Sequence, residues 1–151
     1  MSALQRLSLA GEKFDGFVFS GVLEAQVDPV RPLALAKEVA TPDAALVAAV
    51  PNVGYLPLVR DLLAGRLDGA WAESFGVTRL RWFDRRLIQE LLVEAGWRVE
   101  RVEGVRGSPP EAEPFLAQLG DWPFLDRTSL WTRSWIAVAR AKGNASPDVK
   151  F

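Results

Sequence analysis

The chain has 151 residues, 49% of them apolar, which is enough for one compact domain with a buried core. Its 18 basic and 19 acidic residues leave a formal charge of −1, so no global field draws it to nucleic acid or to an anionic membrane. With no cysteine and no histidine, disulfides, thiolate zinc sites, thiol nucleophiles and serine-histidine hydrolysis are all excluded.

The first ten residues lack the apolar core of a signal peptide, and no later segment is apolar enough to span a bilayer. The expectation is a cytoplasmic protein, one domain over residues 1–141, with a flexible polar tail over 142–151.

Phe14 to Ser20 is a short run whose apolar side chains alternate onto both faces, which predicts a parallel strand covered on both sides. Asp28 and Pro29 have the chemistry of a helix start, with Val30, Leu33 and Ala36 as the apolar stripe, and Thr41-Pro42-Asp43 reads as the turn that ends it. Ala44 to Val50 predicts a second buried strand, stopped at Pro51-Asn52 because proline cannot continue a central ladder. A helix is expected from Tyr55 to Ala64, closed by Gly65, and then a polar aromatic loop through Trp71 to Gly76. The clearest helix runs from Asp84 to Gly96, with Leu87, Ile88, Leu91 and Leu92 as its stripe. Trp97 to Glu103 alternates apolar with charged residues, as a strand near the sheet edge does. A short helix around Glu113 to Leu119 and a last strand from Leu130 to Ala139 complete the pattern.

Several blocks in this order resemble the class I S-adenosylmethionine-dependent methyltransferases. Phe14-Asp-Gly-Phe-Val-Phe-Ser20, Val22-Leu-Glu24 and Asp28-Pro29 are similar to that family's fourth strand and the loop leaving it. Ala48-Ala-Val-Pro-Asn-Val53 resembles the end of its fifth strand, Thr78-Arg-Leu-Arg-Trp-Phe83 the segment that follows, and Leu91 to Val99 the next helix and the sixth strand. The resemblance spans roughly residues 14 to 105 and implies an α/β fold: a partial Rossmann-like sheet of about four mostly parallel strands, the last antiparallel, flanked by helices.

The family fold begins with a strand, a glycine-rich turn and a helix, then a strand ending in an acid that holds the ribose hydroxyls. Residues 1–13 are too few for such a unit of roughly 30 residues. The resemblance therefore implies the C-terminal half of a truncated or split domain. S-adenosylmethionine is the implied cofactor and a small molecule the implied methyl acceptor, while the chain alone is expected to be inactive. Strand 14–20 would then have a bare edge, available to a second copy or to a separate N-terminal half. A non-catalytic module that pairs through this edge is the alternative.

By the same resemblance, Ser20, Gly21, Val22 and Leu23 face the cofactor, and Glu24 is the candidate catalytic base. Glu24 also reads as a solvated acid before a helix, and Ala25 stands where the family often has histidine. Asn52, Tyr55, Arg79, Arg81 and Trp82 are candidates for acceptor binding; Asn52 equally suits a turn that bonds its own backbone. Trp122, Phe124, Trp131 and Trp135 suit either an acceptor lid or core packing.

Overall fold

A computed structural model describes residues 11–66, 80–109, 112–120 and 122–141. The described chain forms a four-stranded sheet from β1 (Phe14–Ser20), β2 (Ala40–Pro51), β3 (Trp97–Arg106) and β4 (Thr132–Ala141). Five helices accompany it: α1 (Val30–Glu38), α2 (Leu56–Leu63), α3 (Arg85–Glu94), α4 (Ala112–Leu119) and α5 (Arg127–Trp131).

The spatial order is β1-β2-β4-β3. β1 and β2 are parallel, and β4 runs antiparallel to both of its neighbours. Three strands thus point one way and β4 the other, which matches the expected mixed sheet, although only the β1–β2 pairing is itself parallel. The C-terminal ends of β1, β2 and β3 consequently share one end of the sheet, where open α/β sheets bind ligands.

One face of this sheet carries the core. Leu46, Ala48 and Val50 from β2 and Trp135, Ala137 and Ala139 from β4 pack with Leu33 and Ala36 of α1 and with Ile88, Leu91 and Leu92 of α3. The alanines of the inner strands let the helices approach closely, and the leucines fill the layer. Trp97 locks the far side: it is 1% exposed, its indole N–H donates to the Leu33 carbonyl at 3.0 Å, and its ring meets Phe17 edge-on at 5.8 Å. A smaller core joins Leu56, Ala112, Leu116 and Leu130 between α2, α4 and α5.

The second face corrects the expectation for strand 14–20. Phe19 is buried on the helix side, yet Val18 on the opposite side is 77% exposed. Among the described residues, helices cover β1 on one face only, and Val18 on the other meets solvent. The turn expected at Thr41–Asp43 is also absent. α1 passes almost directly into β2, and the register jumps from Phe14↔Ala40 to Gly16↔Ala45. The extra residues form a bulge in which Asp43 takes φ 62°, and the Thr41 hydroxyl donates to the Asp15 carboxylate at 2.8 Å. Leu130, expected in the last strand, belongs instead to α5 and β4 starts at Thr132. The loop through 71–76 and the tail 142–151 lie outside the described residues.

Candidate functional site at the strand tips

β1 ends at Ser20, and Gly21 turns the chain with φ 68°, a left-handed conformation that a residue with a Cβ adopts only under strain. Ser20, Gly21 and Val22 are exposed at this tip, while Leu23 is completely buried and anchors the turn in the core. Residues Leu23–Ala25 form one 3₁₀ turn.

Glu24 is 3% exposed, which rules out a solvated acid. Its carboxyl Oε2 is buried without a hydrogen-bond partner. Leaving a buried acceptor unmatched costs roughly 1–3 kcal/mol, so the position holds a polar group at the expense of stability. The Glu24 backbone carbonyl, by contrast, is doubly used: it accepts from the amides of Leu80 and Arg81 at 2.8 and 3.0 Å.

Those two bonds begin a strap across the strand tips. Three residues later Phe83 bridges in parallel to Asn52, and its carbonyl accepts from Val53 N–H at 2.8 Å. The segment Leu80–Phe83 therefore ties the loop after β1 to the end of β2. Asp84 follows and caps α3, its carboxylate accepting from Leu87 N–H at 2.7 Å.

Asn52 ends β2 with no exposure at all. Its amide donates to the carbonyls of Ser129 and Thr132, both at 2.8 Å, and to the Ser129 hydroxyl at 3.1 Å, while its oxygen accepts from Gly54 N–H at 3.0 Å. The side chain is committed to joining β2 to α5, and its bond from Gly54 N–H is the contact to its own backbone that the turn alternative described. Ser129 and Thr132 are distant in sequence and carry no motif, so nothing local reveals this network. Gly54 is required beside it, because a Cβ there would lie 2.2 Å from the Ser129 hydroxyl. Tyr55 is buried with its ring against Gly107, where a Cβ would come within 2.4 Å of the phenol oxygen.

Arg81 donates through Nε to the Val27 carbonyl at 3.2 Å and through Nη2 to the same atom. With Trp82, Val27, Phe83, Leu87 and Glu90 it lines a pocket of about 440 Å³ between the starts of α1 and α3. The Ser20–Leu23 turn does not line that pocket. The structure thus joins both Glu24 and Asn52 to the Leu80–Phe83 segment through the backbone, while the side chains of Asn52 and Tyr55 are used in packing elsewhere. Arg79 lies outside the described residues. None of the described helices is long and apolar enough to cross a membrane.

No protein-family model and no curated protein sequence matches the chain. Solved structures do. A SAM-dependent methyltransferase from Archaeoglobus fulgidus superposes with a TM-score of 0.59 at 16% identity, over 93% of this chain and 65% of the other. One from Thermotoga maritima gives 0.55 at 15% identity, over 87% and 57%. A methyltransferase from Haloferax volcanii, solved in complex with the Trm112 methyltransferase activator, gives 0.54 at 15%, over 89% and 57%. The chain therefore spans about 57–65% of the length of these relatives in fold. With its four-stranded sheet, its single reversed strand and its helices on the core face, the chain has a class I S-adenosylmethionine-dependent methyltransferase-like fold over the part of these structures that it covers.

Proposed function

We propose that this chain forms the acceptor-side part of an S-adenosylmethionine-dependent methyltransferase, which in complete form methylates a small molecule. The single observation that carries the reading is the orphaned carboxyl oxygen of Glu24 at the tip of β1. A buried polar atom without a partner, below an open glycine turn at the ligand-binding end of an α/β sheet, suits a group that pairs with a ligand.

The fit to the cofactor is partial. The turn Ser20–Leu23 suits the methionine end, but none of the described strands ends in an acid that could hold ribose hydroxyls. The remaining contacts would come from a glycine-rich strand-turn-helix unit docked on the outer edge of β1. The Haloferax volcanii relative, solved with an activator protein, supports a partnered arrangement. S-adenosylmethionine supplies a methyl group already activated by its sulfonium. The protein's task is then to align the acceptor and to take its proton, a role open to the Glu24 carboxylate.

Calorimetric titration with S-adenosylhomocysteine tests this. The chain alone is expected to give no saturable heat. The same chain extended at its N-terminus by a glycine-rich strand-turn-helix unit should bind at micromolar concentration. Glu24→Gln in the extended protein should cut methyl transfer at least tenfold and leave the fold intact by circular dichroism. A folded extended protein that does not bind would contradict the proposal.

A further inference from the structure

At the opposite edge of the same sheet end lies a second pocket, of about 380 Å³, lined by Gly104, Arg106, Arg127, Thr128, Trp131 and Thr132. It is built where the C-terminal end of β3 meets α5, and Gly107 N–H donates to the Trp131 carbonyl at 2.8 Å to hold the two together. Its described lining carries two guanidinium groups, two threonines and an indole, with no carboxylate among the described lining residues, and Arg127 is engaged with the Gly120 carbonyl at 2.6 Å.

Arg106 is the central feature. Its guanidinium carbon sits 5.2 Å from the centre of the Trp131 ring, a cation–π stack, and it forms no ion pair among the described residues. The neighbouring charges on β3 are already matched, since Arg101 pairs with Glu103 at 2.9 Å. Stacking on an indole holds the planar fork in place while leaving its N–H edge for an acceptor, and such a fork matches a carboxylate in two-bond geometry. The floor beside it is small by necessity. A Cβ on Gly104 would lie 2.9 Å from the Thr132 side chain and 3.0 Å from the Trp135 ring. The Thr132 hydroxyl donates its proton to the Thr128 carbonyl at 2.8 Å, and its oxygen and methyl carbon lie equally close, 2.9 Å, to where a Cβ on Gly104 would sit.

We infer that this pocket binds a small carboxylate with an aromatic or otherwise apolar body, the acid group on Arg106 and the body against Trp131 and the Gly104–Thr132 floor. The inference stands apart from the methyl-transfer reading, because it needs neither Glu24 nor a cofactor. Phosphate shares the anionic chemistry but has no apolar body, so it serves as the control anion.

The test is a titration of the ¹⁵N-labelled chain with benzoate and, separately, with inorganic phosphate at constant ionic strength, following the Trp131 indole resonance assigned from its loss in Trp131→Phe. Benzoate should produce a saturable shift, several-fold tighter than phosphate. Arg106→Gln should weaken it at least fivefold with an unchanged melting curve, Arg106→Lys by less, and Arg81→Gln should leave it unaltered. A shift that never saturates, phosphate binding tighter than benzoate, or equal benzoate binding in Arg106→Gln would each overturn the inference.

Discussion

Glu24 and Asn52 are both buried polar residues at strand tips, and substitution should affect them in opposite ways. Glu24→Leu removes an acceptor that has no partner, so urea denaturation should show stability unchanged or raised by about 1 kcal/mol. A loss of more than that would mean the carboxyl is already satisfied. Asn52→Ala removes the side-chain partner of the Thr132 carbonyl and of the Gly54 N–H, while the Ser129 carbonyl keeps the Thr132 N–H, and should cost about 2–3 kcal/mol in the same experiment. Asn52→Asp should be no better, since it turns two donors into acceptors facing those carbonyls. The sequence marked both positions as candidates, because a polar residue just past an apolar strand is conspicuous. It could not rank them. What separates them is whether a distant segment returns to meet the side chain: for Asn52 it does, in Ser129 and Thr132, and for Glu24 only the backbone is met.

Among the elements, α3 was the most legible, because its cap, stripe and closing glycine are all local signals. Asp84→Ala should therefore destabilise the chain by about 1 kcal/mol through the lost bond to Leu87 N–H, measurable as a shift in the urea midpoint without a change in slope. β3 was legible in a subtler way. Its apolar residues fall at Trp97, Val99, Val102 and Val105, and the change of phase after Val99 coincides with the register shift between Val99 and Arg101. Such a bulge lets Val102 face the core while Arg101 stays in solvent. The start of β2 was not legible. Thr-Pro-Asp has the composition of a turn, and only pairing with β1 draws it into a bulged strand. Asp43, at φ 62°, pays for that arrangement in backbone strain, so Asp43→Gly should raise the melting midpoint slightly, by about 0.5–1 kcal/mol of stability.

At the scale of the whole molecule, the open question is what meets β1. β2 and β4 are paired on both sides, whereas the outer edge of β1 pairs with none of the described strands, and its bare face carries Val18 at 77% exposure. An edge of this kind invites strand addition. Placing a charge on that face with Val18→Lys should weaken any self-association at least tenfold in sedimentation equilibrium, with the monomer's circular dichroism unchanged. The one-sided burial follows from long-range packing rather than from the residues of β1. Its alternation of phenylalanines and valine is that of a strand covered twice, while among the described helices α1 and α3 both pack on the face away from Val18.

Residue-resolved hydrogen exchange at low protein concentration bears most directly on the claim that β1 is an open edge at which the rest of a methyltransferase fold docks. Alternate amides of β1 should exchange rapidly in the isolated chain while those of β2 and β4 stay protected, and the same β1 amides should become slow once a glycine-rich strand-turn-helix unit is fused ahead of them. Uniformly slow exchange along β1 in the isolated monomer, or exchange that the fused unit leaves unchanged, would contradict it.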